Sequence, residues 1–253
     1  MSGFDYVSFT TDYGLSDGFV ASCHGVIARL APAVRVIDVT HTIAPGDVTR
    51  AAAVLAQTVP HLPTAVHLAV VDPGVGTQRR AVVINTPGGI LVGPDNGLLV
   101  WAASALGGIN SAFELSTPDG ASRTFHGRDV FAPAAASLAL GVPVEGPEVD
   151  PETLIQLPEP VVEFGDGWVE AEVLTIDRFG NVQLAAPASF LNQLPDRMTV
   201  GGCRAIRGET FADAPSGGLV VFGDSADRLA IAVNGGRAAV MLAVTPGDIL
   251  RIT

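Results

Sequence analysis

The stretch Ala69–Arg79, AVVDPGVGTQR, decides how this chain reads. Its apolar start, ending at Val71, has the character of a buried strand. It stops at Asp72-Pro73 and gives way to Gly74 and Gly76, which allow tight backbone geometry beside a ligand. Asp72 is thereby placed at the carboxyl end of a strand, where open α/β sheets hold their ligands. Arg79, seven residues on, is close enough to fold back over the same turn. Taken alone, an Asp-Pro-Gly corner reads most simply as an Asp capping its own turn. Here, however, several other polar motifs also end apolar strands or open helices.

On the amino-terminal side, Tyr6–Thr10 is a β-prone run that ends in Thr11-Asp12-Tyr13-Gly14. Asp17-Gly18 then opens a helical pattern carried by Phe19, Val20, Cys23, Val26, Ile27 and Leu30. Val34–Val39 reads as a second strand. Asp47 is placed to cap an Ala-rich helix over Val48–Val59, which must stop before Pro60. On the carboxyl side, Ala81–Thr86 and Ile90–Val92 read as a hairpin through Pro87-Gly88-Gly89. The turn Gly93-Pro94-Asp95-Asn96-Gly97 leads into a helix over Leu98–Leu106. Thr124-Phe125-His126-Gly127-Arg128-Asp129 leads into another over Val130–Leu140, for which Asp129 reads as the N-cap. Strands alternating with helices predict an α/β unit, a mostly parallel sheet with helices on both faces, over residues 1–142.

From 143 to 161 prolines interrupt every periodic pattern, which predicts a semi-rigid linker. Beyond it, over 162–253, the helical signal nearly vanishes. Trp168–Ile176, Val182–Leu184, Leu219–Phe222, Leu229–Val233 and Ala238–Val244 read as short strands, with one more over Asp248–Ile252. They predict a small antiparallel, barrel-like β domain.

Composition narrows the functional classes. The formal net charge of −12 over 253 residues argues against nucleic acid as a partner. Mean hydropathy is high, at +0.40, yet no apolar run approaches the ~20 residues of a membrane span. The start MSGFDYVSF has no basic segment followed by an apolar one, so a cytoplasmic protein without a membrane partner is expected. Cys23 and Cys203 lie far apart without ligand spacing, and neither a metal site nor a cofactor is expected. There is no dinucleotide fingerprint, no P-loop lysine, no Gly-x-Ser-x-Gly elbow and no His-Glu-x-x-His pair. Polar clusters at strand ends remain: Asp12 and Asp17, Asp72 with Arg79, Asp95-Asn96, and His126 with Arg128 and Asp129. Asp95-Asn96-Gly97 reads as a structural turn, Arg79-Arg80 can also be read as solvated surface, and His126 alone as a half-buried histidine. His24, His41, His61 and His67 show no clustering and receive no role.

Taken in order, TDYGLSDGFV, DVTHTIAPGDV, VVDPGVGTQR, VGPDNGLL and TFHGRDVFAP resemble the S-adenosyl-L-methionine (SAM) hydroxide adenosyltransferases, relatives of the fluorinases and chlorinases. IDRFGNV, TFADAP and AIAVNGG are similar to that family's small β domain, so the resemblance covers essentially the whole chain. It implies hydrolysis of SAM to adenosine and L-methionine by displacement at the ribose C5′ carbon. The leaving group is a neutral thioether released from a sulfonium, so the enzyme must mainly orient and partly deprotonate a water. The resemblance places the family's Asp-Arg-His set on Asp72, Arg79 and His126, and leaves open which of them takes the proton. It places the ribose grip on Asp17, with Asp12 at the same strand end, and counts Phe125 and Gly127 among the substrate-binding positions. Asp177 and Ser225 fall on contacts to the methionine part. Asn181, the backbone around Val233 and Gly235, and the rings of Phe179 and Phe211 fall on contacts to adenine.

The chain departs from the halogenating relatives at three positions. Ala226 stands where the fluorinase has an arginine, Asp72 where it has a tyrosine, and Gly127 where it has a serine. A carboxylate at the nucleophile site repels halide, so hydrolysis fits better than halogenation. A non-catalytic SAM or adenosine sensor would keep Asp17 and Asn181 without needing Asp72, Arg79 and His126 together. The resemblance further implies a homotrimer with its sites at subunit interfaces.

Overall fold

Alternation along the strands sorts the first half of the molecule into layers. In a computed structural model describing residues 3–143 and 146–253, Val66–Val70 forms a wholly buried strand. Val66, Leu68 and Val70 face one hydrophobic cluster, whereas Ala69 and Val71 face another. This period of two, with both faces apolar, is what a central strand covered by helices requires.

Numbering in chain order, the strands are β1 (Tyr6–Thr11), β2 (Arg35–Thr40), β3 (Val66–Val70), β4 (Ala81–Thr86), β5 (Gly89–Pro94), β6 (Ser111–Glu114) and β7 (Glu148–Val149). They form one sheet in the order β2-β1-β3-β5-β4-β6-β7. β2, β1, β3 and β5 are mutually parallel, and β4, β6 and β7 extend the sheet antiparallel. Helices α1 (Phe19–Leu30) and α4 (Ala132–Ala139) cover the face of Val7, Phe9 and Leu68. Helices α2 (Val48–Thr58) and α3 (Val100–Ala105) cover the face of Ala69, Ile84 and Leu91. β1 therefore leaves toward one face and β3 arrives from the other, which opens a crevice at their carboxyl ends.

The helix starts differ in how they are capped, and one departs from expectation. Asp47 accepts a hydrogen bond from Arg50 N at 2.9 Å and caps α2 as expected. Asp17 makes no cap bond, and α1 starts from Gly18 without one. Asp129 is not an N-cap either. It lies inside a π-helical turn, Gly127–Phe131, in which Ala132 N donates to Gly127 O and which runs directly into α4. Pro133 in the first turn of α4 has no N–H to give the carbonyl of Asp129, and the wider turn absorbs that loss.

The chain divides into two compact units, Met1–Leu157 and Pro158–Thr253. Of the segment read as a linker over 143–161, Val144 and Glu145 lie outside the described residues. Much of the rest is ordered against the first unit: Glu148–Val149 pairs with β6, Leu154 is buried, and Arg80 bonds to Thr153 O at 2.6 Å. Prolines here break helices but leave an edge strand and a one-turn helix available.

The second unit contains β8 (Val162–Gly165), β9 (Trp168–Ile176), β10 (Val182–Pro187), β11 (Arg197–Val200), β12 (Cys203–Arg207), β13 (Leu219–Gly223), β14 (Arg228–Val233), α5 (Ala238–Leu242) and β15 (Ile249–Ile252). Strands β9, β10, β14, β13, β12, β11 and β15 close into a seven-stranded barrel, and β8 hairpins onto β9. Closure removes sheet edges that a small isolated sheet would expose. One pair, β12 with β13, is parallel. The run Ala238–Val244, expected as strand, is instead the short helix α5, ended by Ala243 in the left-handed region (φ 53°). Its Ala, Met and Leu are good helix formers, and local propensity prevails where no neighbouring strand pairs with it.

Candidate active site

The loop that leaves β3 is built to hold one ion pair. Thr77 Oγ1 donates to Gly74 O at 2.7 Å, and Val75 N bonds to Asp72 O, which curls the chain back on itself. Gly76 adopts φ 76°, and a Cβ there would lie 2.3 Å from Arg123 O, so only glycine fits. The curl returns Arg79 to Asp72. Its Nε lies 3.0 Å from both carboxylate oxygens and its Nη2 2.5 Å from Oδ2, with both side chains buried. The guanidinium also packs over the Phe131 ring, 5.1 Å from its centroid. Asn96 Nδ2 donates to Val71 O at 2.9 Å and fixes the strand end.

Arg79 Nη2 also lies 2.9 Å from His126 Nδ1. Arginine can only donate, so Nδ1 is the acceptor and the proton of the neutral ring sits on Nε2. Burial, then the Arg79 charge, hold the His126 pKa below its ordinary value. The π-helical turn presents His126, and Asp129 ties that turn down by accepting from Ser122 N at 2.9 Å while pairing with Arg128.

Asp12, Asp72, His126 and Gly127 line one cavity of about 370 Å³, with Tyr13 and Pro45. Asp12 follows β1 and Asp72 follows β3, so the cavity occupies the crevice between those neighbouring parallel strands. Asp12 Oδ2 accepts from Gly46 N at 2.8 Å and fixes the opposite wall. Gly127 is dictated by Tyr13, because a Cβ there would meet the phenol oxygen at 2.0 Å. Tyr13 went unnoticed in the sequence, although burial raises its pKa strongly and keeps it a neutral hydrogen-bond donor. Phe125 stands edge-on to Tyr13 and Phe19, with ring centroids 5.8 and 5.1 Å away. Asp17 is exposed and does not line the cavity. Arg80 is not free surface: it pairs with buried Asp95 at 2.6 Å, which confirms Asp95 as structural.

The other expected residues belong to the second unit. Asp177 and Asn181 are bonded to each other across one turn: Asn181 N and Nδ2 each donate to the carboxylate at 2.8 Å. Phe179 and Phe211 are exposed by 75% and 50%, and Phe211 stands edge-on to Phe222. Ser225 is exposed in a tight turn held by Asp224, whose carboxylate accepts from Ala226 N and Arg228 N. Val233 is buried at the end of β14, and Gly235 turns the chain with φ 78°.

The chain is similar to known proteins over both of its units. Residues 7–147 match the SAM hydroxide adenosyltransferase N-terminal domain and residues 171–251 match the C-terminal domain. A Salinispora arenicola protein named (R)-S-adenosyl-L-methionine hydrolase is 62% identical, covering 100% of this chain and 99% of its own. A Nocardia brasiliensis fluorinase is 27% identical over 90% of each chain. A solved structure of a conserved Thermotoga maritima protein superposes with a TM-score of 0.88 at 38% identity, covering 97% of this chain and 99% of that one. No helix among the described residues is long and apolar enough to cross a membrane. With both of its halves matched, this chain belongs to the SAM hydroxide adenosyltransferase family.

Proposed function

We propose that the chain hydrolyses SAM to adenosine and L-methionine, with Asp72, Arg79 and His126 acting on the water. The carrying observation is the buried Arg79, bonded on one side to Asp72 and on the other to His126, both of which line the β1–β3 cavity. A water oxygen forms a bond to C5′ while the C5′–sulfur bond breaks. The electron pair of that bond goes to sulfur, turning sulfonium into neutral thioether. One proton must leave the water. His126 Nδ1 is committed to Arg79 and its Nε2 bears a hydrogen, so the neutral ring donates toward the nucleophile and does not accept from it. Asp72 retains lone pairs beyond those facing Arg79 and is the group assigned the proton. The Arg79 charge favours hydroxide character as the C–O bond forms.

Substrate contacts follow the family pattern: Asp17 and Asp12 toward the ribose, Phe125 and Gly127 as further substrate-binding positions, and Asp177 and Ser225 toward methionine. Asn181, Phe179, Phe211, Val233 and Gly235 serve adenine. The same reading includes a homotrimer with sites at subunit interfaces, as the family pattern implies, together with a cytoplasmic location and no added cofactor. Asp72 at the nucleophile position disfavours halide. Incubation with SAM in ¹⁸O-labelled water tests the reading: adenosine labelled at the 5′-hydroxyl, together with methionine, is expected. Unlabelled adenosine, no turnover, or turnover that requires halide would overturn it.

A further inference from the structure

Three side chains scattered in the sequence converge at the β2 edge of the first sheet. His24 lies on α1, Asp38 near the end of β2 and His41 just beyond it. His24 Nε2 is 2.8 Å, and His41 Nε2 3.0 Å, from the same Asp38 Oδ1. Their donor atoms all lie within 4.8 Å of one another. We propose that His24, Asp38 and His41 form a binding site for a divalent transition ion of the zinc class, with solvent completing the coordination. The sequence predicts no metal, from cysteine spacing and from histidines without apparent clustering; the fold instead brings His24 and His41 together.

The donor set of two imidazoles and one carboxylate suits a tetrahedral ion with one open position. His41 supplies a separate observation. Its side chain is 4% exposed, yet Nε2 makes no hydrogen bond although Asp38 Oδ1 lies only 3.0 Å away. A buried polar atom without a well-aligned hydrogen-bond partner costs about 1–3 kcal/mol. The opposite nitrogen, Nδ1, is 2.9 Å from Thr11 Oγ1. With Nδ1–H donated to that hydroxyl, the Nε2 lone pair is free for a metal, and such an outer hydrogen bond fixes the tautomer of a ligating histidine. Both imidazoles lean on the fully buried Phe9 ring, with centroids 5.8 and 4.9 Å away, which fixes their planes.

Metal–ligand bonds near 2.0–2.1 Å put tetrahedral donors about 3.3 Å apart. The present 2.8 and 3.0 Å separations need open by only a few tenths of an ångström, and half-exposed Asp38 on an edge strand can yield that much. An ion here would brace the loop after β1, because Gly14 N donates to His41 O at 2.7 Å.

The test uses the full metal-stripped chain, titrated with Zn²⁺ alone and followed by calorimetry, native mass spectrometry and thermal melting. One ion per chain and a raised melting temperature are expected. His24→Ala alters a partly exposed residue outside the proposed catalytic set. It should melt like the wild type without metal, weaken Zn²⁺ binding at least about tenfold and abolish the melting shift; Asp38→Asn should do the same. No binding to the wild type would overturn the site. Binding undiminished in both variants would place the ion elsewhere, and a merely hydrogen-bonded His–Asp–His cluster would stand.

Discussion

The two units treat their candidate functional residues in opposite ways. In the first, Asp72, Arg79 and His126 are buried and joined through Arg79, which bonds to both others across a curled loop, with Gly74, Gly76 and Gly127 making the close approaches possible. In the second, Phe179 and Phe211 stand largely exposed, and Asp177 and Asn181 are bonded to each other. Groups that handle a nucleophile must be aligned before the substrate arrives, because reorganising buried charge during reaction is costly. Groups that hold an adenine or a methionine need only present area and hydrogen bonds, and these remain unfilled without the ligand. The contrast predicts different penalties for mutation in each unit.

The largest penalties belong to the first unit. Removing Arg79 leaves Asp72 buried without its partner, so Arg79→Ala should lose about 3–5 kcal/mol of stability as well as turnover. Asp72→Asn keeps the shape but removes the proton acceptor, and kcat should fall by roughly 10²–10⁴-fold with KM little changed. His126 adds a pH signature. Its pKa lies below the ordinary histidine value, so it stays neutral through pH 7 and gains a proton only in acid. The acid limb of kcat/KM should therefore lie below about pH 6.5. A limb above that value, or a normally active Asp72→Asn variant, would break the idea of a preassembled set.

What could be read in advance follows the same division. Asp72 and Arg79 are seven residues apart in one loop, and their meeting was legible from two glycines and a strand end. His24, Asp38 and His41 come from a helix, a strand and a loop, so no spacing announces them. Asp129 reads as a cap because Val130 opens an apolar helical pattern, whereas Pro133 in the following turn favours the π-helical bulge that places Asp129 inside the helix. In the second unit β11 and β12 escaped notice because arginines interrupt strands of only four and five residues. Ala238–Val244 was misread because a short apolar run has no periodicity to separate strand from helix.

A smaller effect tests whether the first unit responds to acid by itself. His67 is fully buried on β3, with Nδ1 2.8 Å from Ser8 Oγ, and burial lowers its pKa to about 4. The unfolded chain takes up the proton first as pH falls. Stability from the neutral ring is thus complete above about pH 6.5 and declines toward pH 4, by about 3 kcal/mol in all. His67→Leu should flatten that slope. Trp101 lies in the first unit and Trp168 in the second, so urea unfolding of Trp101-only and Trp168-only variants reads each unit. The slope should follow Trp101, and an equal slope at Trp168 would join the two units into one cooperative block.

Smaller still is the cost of filling Gly127. A methyl group there meets the Tyr13 oxygen at 2.0 Å, so Gly127→Ala should cost about 1–3 kcal/mol, measured as a shift in urea midpoint. Removing the hydroxyl with Tyr13→Phe should recover part of it, but not all, since the ring carbon behind the oxygen would still lie 3.0 Å from the added methyl. Additive losses in the double variant would show that the two residues do not confront one another.

The smallest change is expected at Phe179, where the comparison is sharpest. The ring is 75% exposed and has no aromatic partner among the described residues. Phe179→Ala should therefore alter folding stability by no more than about 0.5 kcal/mol. If the ring packs on the nucleoside, the loss appears in KM, rising about two- to tenfold for an aromatic contact of about 0.5–1.5 kcal/mol, with kcat held. Phe211 serves as the internal control. It is half exposed and stands edge-on to Phe222 at 5.4 Å, so Phe211→Ala should raise KM and also cost measurable stability. A Phe179→Ala variant that melts early with unchanged KM would mean that the ring is covered by protein, another copy of the chain included, and the division between buried chemistry and open recognition would have to be redrawn.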